Sequence, residues 1–305
     1  MDNLTHTLTG LALARTGLAR WGPGSTAALV LASNIPDLDL LFGLKGAVSY
    51  LEHHRDLSHS ILGAPLLALG LAVALRVVVR GSAFWRLLGL TLAGVGGHVF
   101  MDLWTSYGTR VLAPFDRTFF AWDLVFVVDP LILVALLLAT LLSMRLRDER
   151  FASVGLGLLA AYVGGRAVAH SVALEEARLR VPAAAVVRAV ALPNALDPLR
   201  WRAIVDTGPA YWTGEVRLLG GPTPPLRRRG KLDETPLVQR VRATSDVAGV
   251  FLAFSTFPWL EVERTAEGTT VSWRDLRYER PGRDSFVARV VLGRDGSIVR
   301  EGFRF

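Results

Sequence analysis

The chain has 305 residues, of which 51% are hydrophobic and 20% are charged, and it contains no cysteine. The apolar content excludes an intrinsically disordered chain, and the lack of cysteine excludes a disulfide framework and thiolate zinc sites, so any metal must bind to histidine and carboxylate side chains. Residues 1–174 contain 13 Lys/Arg and 11 Asp/Glu, whereas the shorter stretch 175–305 contains 21 and 16. We therefore predict an apolar domain over residues 1–174 and a soluble domain over residues 175–305.

Apolar segments follow one another through the first domain. Two shorter ones, Leu4–Arg20 and Ser25–Leu44, are joined by a Trp-Gly-Pro-Gly turn and predict a helical hairpin that is embedded in a membrane or nearly spans it. Four longer ones approach the length of about 20 residues that a helix needs to cross a bilayer. These are Ser60–Val79, Phe84–Leu103, Leu124–Met144 and Phe151–Leu174. The sequence thus predicts an all-α membrane bundle of about six embedded or spanning segments.

Arginines mark one side of this bundle. Three of them lie in the loop at residues 76–86, and three more lie in the loop at residues 145–150. In an alternating topology both loops are on the same side, which the Lys/Arg bias of short loops assigns to the cytoplasm. We therefore expect a multi-pass protein of the cytoplasmic membrane in which residues 45–58, residues 104–122 and the C-terminal domain face outward.

The second domain shows the alternation and turn residues of strands. A charged helical stretch is expected at Glu175–Val190, broken at Pro182, and a Pro-rich loop at Gly220–Thr235. The predicted strands are Arg200–Asp206, Tyr211–Leu219, Val250–Phe254, Trp259–Glu263, Thr269–Trp273 and Phe286–Leu292. We predict a small, mostly antiparallel β (α+β) domain that covers the site or selects its substrate. The basic run Arg227–Arg229 is interpreted as part of a solvated loop, so no nucleic-acid partner is expected.

All six histidines lie in the apolar domain, where an ionisable side chain is costly and usually has a function. Four of them, together with nearby carboxylates, lie at the outer ends of four predicted segments. The candidate metal ligands are His6, Asp37, Asp39, His54, His59, His98 and Asp102. Because a random scatter would place about half of such residues on the other face, this convergence predicts a metal site.

Each motif also has an ordinary explanation when it is taken alone. The residues at 98 and 102, at i and i+4, can form a hydrogen bond at a helix end instead of sharing an ion. The acids at 37 and 39 can complement a helix dipole, and the histidines at 54 and 59 can lie in water. The prediction of a metal site therefore depends on their common face.

Four histidines and three carboxylates suffice for one or two divalent ions, and such N/O ligands suit Zn²⁺ or Mn²⁺. A bound ion would lower the pKa of a water molecule and so produce a hydroxide nucleophile. A carboxylate that is not bound to the metal would act as general base, and Asp39 is our candidate. Arg55 either binds an anionic group such as phosphate or is a charge at the membrane interface.

Two further features lie in and before the third long segment. Asp129 either holds a ligand histidine or pairs with Arg166 or His170, and we favour the pairing. The aromatic residues of the preceding loop predict an interfacial belt. They are Phe115, Phe119, Phe120 and Trp122.

At these positions the sequence resembles the YdjM family. The motifs that carry the resemblance are Met1-Asp2-x-x-Thr5-His6-x-x-x-Gly10, Pro36-Asp37-x-Asp39, His54-Arg55-x-x-Ser58-His59-Ser60, Gly97-His98-x-x-x-Asp102 and Tyr107-Gly108-Thr109. Ser106 departs from the family pattern, which usually has a proline before Tyr-Gly-Thr, and this affects the loop shape rather than a ligand. The stretches 198–201 (Pro-Leu-Arg-Trp) and 275–278 (Asp-Leu-Arg-Tyr) resemble the longer members with an extra C-terminal domain. The resemblance implies an inner-membrane-associated, metal-dependent hydrolase of bacteria or archaea.

Two classes of function agree with these features. The first is a membrane-embedded hydrolase that acts on membrane lipids or on a lipid-like or phosphorylated small molecule at the outer face of the membrane. The alternative is a non-enzymatic membrane protein that binds or transports a metal, or a scaffold for the β domain. A transporter usually places its polar groups near the midplane of the bilayer, whereas the candidate ligands here lie at one end of the predicted segments.

Overall fold

The structure is a computed structural model that describes residues 1–182, 186–221, 223–266, 268–279 and 286–304. A helical half comes first, and two antiparallel sheets follow it, with two helices between them. This confirms the predicted order of an all-α part with apolar candidate spans and then an α+β domain.

Seven α-helices lie within residues 1–182. They are α1 (Asn3–Arg15), α2 (Ser25–Ala32), α3 (Ala47–His53), α4 (Gly63–Val78), α5 (Phe84–Leu103), α6 (Pro130–Leu146) and α7 (Arg150–Leu179). Short 3₁₀ segments at Leu18–Trp21, Ile35–Lys45 and Leu57–His59 connect the first four helices. The second and third of these segments carry candidate ligands.

Side-chain caps fix where two of the helices begin. The Asp2 side chain accepts a hydrogen bond from the backbone N–H of Thr5 at 3.0 Å and so starts α1. Asp129 caps α6 in the same way, with Pro130 at the first helical position. The third long segment, predicted to be helical from Leu124 onward, therefore becomes a helix only at Pro130.

Among the residues that the structure describes, length and composition identify two helices that can cross a membrane, α5 with 20 residues and α7 with 30. Two bent pairs pass the same test together: α2 with the 3₁₀ segment Ile35–Lys45, bent by 42°, and Ala47–His59 with α4, bent by 73°. The number of spans rises to four if each bent pair is one span. Helix α6 is apolar but has only 17 residues.

Small residues bring the helices into close contact. A Cβ atom added at Gly94 would lie 2.6 Å from the Cβ of Ala32. Helices α5 and α2 therefore approach more closely than a residue larger than glycine at position 94 would allow. A Cβ atom added at Gly155 would lie 2.2 Å from the Cβ of Ala139, which joins α7 to α6. The first of these contacts holds α5, the helix that carries two candidate ligands, close against α2.

Arginine contacts define one end of the bundle. Arg86 donates a hydrogen bond to the backbone carbonyl of Trp21 at 3.0 Å, and Arg15 donates one to the carbonyl of Ser143 at 2.8 Å. The turn after α1, the start of α5 and the end of α6 therefore lie together. Arg86 lies in one of the two arginine-rich loops that the sequence assigns to one side of the membrane, and the end of α6 directly precedes the other. The C-terminal end of α5 lies at the opposite end.

The C-terminal half contains two four-stranded sheets whose neighbouring strands are antiparallel and follow chain order. The first sheet consists of β1 (Arg188–Pro193), β2 (Arg200–Asp206), β3 (Ala210–Arg217) and β4 (Arg227–Gly230). Helices α8 (Pro236–Thr244) and α9 (Asp246–Phe254) follow it. The second sheet consists of β5 (Pro258–Thr265), β6 (Gly268–Asp275), β7 (Val287–Leu292) and β8 (Ile298–Arg304).

Two local predictions in this half are wrong. Residues Val250–Phe254 are not a strand but the end of α9, because an apolar run this short does not distinguish the two by its pattern. Helix α9 is started by Ser245, whose hydroxyl accepts a hydrogen bond from the backbone N–H of Ala248. The expected loop at residues 220–235 contains β4, and Arg229 within it pairs with Glu279 at 2.7 Å.

Both sheets contact the helical half at the end away from the arginines. Helix α7 continues across residue 174 to Leu179, and Ala173 and Ala177 on its last turns pack in one core with Trp201. The change of composition at residue 174 therefore falls inside a helix, because the last turns of α7 are covered by the first sheet. The helical stretch predicted at Glu175–Val190 is the end of α7 only as far as Leu179. The prediction is wrong at Arg188–Val190, which begin β1, and residues 183–185 lie outside the described residues.

The second sheet and α9 cover α3 and the loop after α5. Leu51 of α3 and Tyr107 share a hydrophobic core with Phe251 and Trp273. The C-terminal domain therefore packs directly on the segments that hold the candidate ligands.

Candidate metal centre

The seven predicted ligands are all buried and lie at the end of the helical half opposite the arginines. They are His6 in α1, Asp37 and Asp39 in the 3₁₀ segment Ile35–Lys45, His54 and His59 in the turns between α3 and α4, and His98 and Asp102 in α5. At 1.5 Å per residue, His98 lies only about 8 Å from the end of α5. The structure thus brings together side chains from four separate parts of the chain.

Asp37, His59, His98 and Asp102 form a compact set, called here the ligand group, in which one donor atom of each residue lies within 4.8 Å of the others. His59 Nε2 is 3.1 Å from His98 Nε2 and 3.2 Å from Asp102 Oδ2. Asp37 Oδ1 is 3.5 Å from Nε2 of each histidine. His98 Nε2 is also 3.5 Å from Asp102 Oδ2. All four side chains point their donor atoms at one point.

These distances fit a tetrahedral ion. Donor atoms bound at about 2.0–2.1 Å to such an ion are roughly 3.3 Å from one another. Five of the six donor–donor distances in the ligand group are 3.1–3.5 Å, and the sixth, between oxygens of Asp37 and Asp102, is within 4.8 Å. Asp102 Oδ2 makes no hydrogen bond within the described residues, although it is buried. A buried carboxylate oxygen without a hydrogen bond is costly, and a cation among these four donors would offset that cost. Two imidazole and two carboxylate donors suit Zn²⁺ or Mn²⁺.

The outer nitrogens of the two histidines are held by hydrogen-bond partners. His98 Nδ1 lies 2.8 Å from the backbone carbonyl of Ser33, which can only accept, so Nδ1 donates and Nε2 presents its lone pair to the ligand group. His59 Nδ1 lies 2.8 Å from Ser58 Oγ and 3.2 Å from Asp39 Oδ2. Such partners fix the tautomer and the orientation of metal-binding histidines.

Asp39 connects several of these residues. Its Oδ2 accepts hydrogen bonds from the backbone N–H of Arg55 at 2.9 Å and from Ser58 Oγ at 2.7 Å, and its Oδ1 lies 2.8 Å from His54 Nδ1. Asp39 and His54 also form, with Asp37, a second set of donors within 4.8 Å of one another. Because both of its oxygens are already used, Asp39 has the surroundings of a residue that orients the histidines.

His6 lies beside the ligand group. Its ring stacks on that of His98 with 3.8 Å between centroids, and its Nε2 is 3.3 Å from Asp102 Oδ1. Neither ring nitrogen of His6 makes a hydrogen bond within the described part of the chain. Asp102 Oδ1 also pairs with the amino group of Met1 and, at 2.9 Å, with Arg55 Nη2. One oxygen of Asp102 therefore belongs to the ligand group, and the other faces His6 and two cations.

Arg55 is a buried cation, with 3% of its surface exposed, so the interpretation of Arg55 as a charge at the membrane interface is wrong. Its Nη1 donates to Thr105 Oγ1 at 3.0 Å, and its guanidinium carbon lies 5.0 Å from the centroid of the Tyr107 ring. The backbone N–H of Arg110 donates to the Arg55 carbonyl at 2.9 Å. Residues 105–110, called here the Tyr107 loop, therefore hold Arg55 against Asp102.

The C-terminal domain contacts this loop through an arginine that the sequence analysis did not assign to the site. Arg277 Nη1 donates to the backbone carbonyl of Ser106 at 2.9 Å, and Arg277 Nη2 pairs with Asp275 at 2.7 Å. Burial lowers the pKa of Arg277, but the adjacent Asp275 carboxylate outweighs this effect and raises it overall. Burial also raises the pKa of Tyr107 well above 10.0, so its hydroxyl stays neutral. The sequence feature that could have identified Arg277 was the Asp-Leu-Arg-Tyr stretch at 275–278.

Asp129 has neither of the two roles considered for it. One oxygen of its carboxylate caps α6, and the other accepts a hydrogen bond from the Tyr162 hydroxyl at 3.0 Å. The favoured pairing with Arg166 or His170 is therefore wrong. The guanidinium carbon of Arg166 instead lies 4.0 Å from the centroid of the Trp201 ring, which joins α7 to the first sheet.

The aromatic residues of the loop after α5 have different surroundings. Phe119 packs edge-on against Phe254 at 5.5 Å, so it contacts the C-terminal domain rather than a membrane interface. Phe115 is 78% exposed and Trp122 is 42% exposed, as expected of side chains in an interfacial belt.

Two family models match the chain. The model of the YdjM inner membrane protein matches residues 1–173, which contain all seven candidate ligands. The chain belongs to the YdjM inner membrane protein family. The model of the YfhP C-terminal alpha/beta plait domain matches residues 236–303, which contain α8, α9 and the second sheet.

One curated relative matches nearly the whole chain, including both the helical half and the C-terminal domain. The chain is 28% identical over 314 residues to "Uncharacterized protein YfhP" of Bacillus subtilis (strain 168), which covers 98% of the chain and 93% of the relative. No solved structure matches the chain. The comparisons confirm the resemblance to the YdjM family and the extra C-terminal domain.

Proposed function

We propose that the protein is a membrane-embedded, metal-dependent hydrolase that acts on a lipid or lipid-linked ester, phosphoesters included, at the outer face of the cytoplasmic membrane. The observation that carries the proposal is the ligand group, in which five of the six donor–donor distances are 3.1–3.5 Å, as expected of donors around one tetrahedral ion. Membership of an inner membrane protein family supports the location.

The residues around the ligand group suggest a division of roles. Zn²⁺ or Mn²⁺, when bound, would supply a water molecule of lowered pKa. Asp39 orients His59 through Nδ1 and holds His54. The role of general base, considered above for Asp39, is better suited to His6, because its ring nitrogens have no hydrogen-bond partner within the described residues.

The position of the site suggests the substrate class. The ligand group lies near one end of α5, where the ester and phosphate groups of lipids are found in a bilayer. Arg55 places a buried positive charge 2.9 Å from Asp102 Oδ1, which suits an anionic group such as phosphate. The C-terminal domain covers this end of the bundle and would restrict access to the site.

The outer face is a prediction from the arginine-rich loops and can be tested by topology. Reporter fusions after residues 82, 115, 148 and 182 should read in, out, in and out. A cytoplasmic signal from the fusion after residue 182 would move the site and its substrate to the inner face.

Transport of a metal is the second candidate. A transporter binds its cargo near the midplane, often where helices are broken. The ligand group lies about 8 Å from the end of α5, which argues against that position. Metal uptake that requires His98 and Asp102, without hydrolysis of any ester, would favour this candidate over the hydrolase.

Metal analysis of the detergent-purified protein tests the proposal directly. Wild type should contain about one ion per chain, and His59→Ala should lose it together with ester hydrolysis. His53→Ala is the matched control, because His53 is close in sequence but its Nδ1 faces the Ser49 carbonyl at 2.9 Å and it lies outside the ligand group. Wild-type protein that is free of metal at neutral pH would overturn the proposal.

A further inference from the structure

A groove with a cavity volume of about 850 Å³ runs between α5 and α7 and is open along one side. Its lining extends along α7 from Leu156 to Ser171, which is about 22 Å at 1.5 Å per residue. Both helices are long and apolar enough to cross a membrane. The groove, called here the α5–α7 groove, therefore lies at the depth of the lipid hydrocarbon.

The walls of the groove are apolar and partly made of small residues. Leu159 and Val163 contribute bulk, whereas Gly164 and Ala167 on α7 and Gly97 on α5 leave space. No atom lies within 4 Å of a Cβ placed at Gly97 or Gly164, so helix packing does not account for either glycine. The space in front of them belongs to the groove.

The polar groups without hydrogen-bond partners lie at one end of the groove. Trp104, Asp123 and His170 line that end, and Trp104 is only 6% exposed. The Trp104 Nε1–H and His170 Nε2 are buried and make no hydrogen bond within the described residues. Buried polar groups normally have partners. These two atoms therefore indicate a ligand whose polar end contacts Trp104 and His170 and whose apolar body lies along α7.

The groove shares its wall with the metal centre. Gly97 and Met101, which line it, directly precede His98 and Asp102 on α5. Thr9, which also lines it, lies one helical turn after His6 in α1. A molecule in the groove is therefore separated from the ligand group by the thickness of one helix wall.

We propose that the α5–α7 groove binds one hydrocarbon chain of a membrane lipid, with the polar part of the lipid at Trp104 and His170. The inference deepens the proposed function, and as a statement about the substrate it rests on that function. It identifies the substrate class as a lipid whose chain lies in the groove on one side of α5, and hydrolysis would require its ester or phosphoester group to pass from Trp104 around the C-terminal end of α5 to the metal centre.

The dimensions and the polarity of the groove favour a lipid chain. Its cavity volume of about 850 Å³ is within the range of about 300–1,000 Å³ typical of sites for small molecules. A single flexible chain with one polar end matches its dimensions and its polarity.

Adjacent glycines provide a matched test. Gly164 lines the groove and Gly165 does not, yet both face open space, so Gly164→Phe fills the groove and Gly165→Phe controls for the larger side chain. Gly97→Leu and Gly96→Leu form the same pair on α5 and keep the test usable if one variant fails to fold. The protein is reconstituted in phosphatidylglycerol vesicles that contain a phospholipid with a photoactivatable diazirine in one acyl chain.

The wild type should be labelled on residues 97–104 and 156–171, with labelling at least about tenfold lower in Gly164→Phe and Gly97→Leu and unchanged in the two controls. Equal labelling in all variants, or cross-links between two protein copies at these residues, would overturn the groove proposal. Metal content is measured on the same samples. Labelling of the groove in a metal-free wild type would refute the hydrolase and keep the lipid site, whereas metal and hydrolysis without labelling would refute only the lipid site.

Discussion

Replacing Asp39 distinguishes a residue that orients the ligand histidines from one that binds the ion. In the structure, Asp39 Oδ2 accepts hydrogen bonds from the Arg55 N–H at 2.9 Å and from Ser58 Oγ at 2.7 Å, and it lies 3.2 Å from His59 Nδ1. Its Oδ1 lies 2.8 Å from His54 Nδ1. The ligand histidine His59 therefore depends on one oxygen of Asp39.

An asparagine at this position has only one side-chain oxygen. The hydrogen-bond partners around Asp39 determine which way that oxygen faces. The backbone N–H of Arg55 cannot become an acceptor, whereas His54 can change its tautomer. In Asp39→Asn the new amide therefore turns its NH₂ group toward His54 and keeps an uncharged acceptor for His59. Since loss of such a partner typically costs 10–100-fold in metal affinity, we expect roughly tenfold, or about 1.4 kcal/mol, for Asp39→Asn. Asp39→Ala removes the acceptor and should cost about 100-fold, or about 2.7 kcal/mol.

The assay is Zn²⁺ competition between the detergent-purified protein and a chromogenic chelator at neutral pH. Asp37→Asn is the comparison, because Asp37 supplies a donor atom to the ligand group. This substitution should lower the affinity for Zn²⁺ by more than about 100-fold. If Asp39→Asn binds as weakly as Asp37→Asn, Asp39 is itself a ligand. If Asp39→Ala binds as well as wild type, the orienting role is refuted.

Two further predictions concern the C-terminal domain and the loop before α6. Arg277→Ala leaves Asp275 buried without its ion-pair partner and should destabilise the protein by about 3–5 kcal/mol. Proteolysis in the Tyr107 loop should also become faster. A variant with the melting temperature and the proteolysis rate of the wild type would contradict this prediction. Burial raises the pKa of Asp123, so its contribution to stability is present at low pH and is lost as the pH rises through the raised pKa. The melting temperature of Asp123→Asn relative to wild type should therefore increase from pH 4 to pH 8, and a constant difference would refute the assignment.

The sequence was sufficient to locate the candidate site but not to assign a role to each of its residues. His6, His98 and Asp102 could be placed together because each lies near the same end of an apolar segment. Asp37 and Asp39 are two positions apart, and only the 3₁₀ conformation of Ile35–Lys45 turns the first toward the ligand group and the second toward His54. No local pattern contains that information.

The missed features depend on contacts between distant parts of the chain. Strand β4 contains three consecutive arginines, and its place in the sheet depends on pairing with β3 and on the ion pair between Arg229 and Glu279. The contact of Arg277 with Ser106 is of the same kind. By contrast, the strand Arg200–Asp206 was predicted with its observed limits because its alternation of buried and less buried residues is local.

The hydrogen bond between Arg277 and Ser106 joins positions that are 171 residues apart. Synthesis proceeds from the N-terminus, so α5 with His98 and Asp102 leaves the ribosome long before Arg277 does. The contact between the Tyr107 loop and Arg277 can form only after the C-terminal domain has been synthesised. The surroundings of the candidate metal centre are therefore completed late, and a product truncated after α7 would carry the candidate ligands without the domain that contacts the loop beside them.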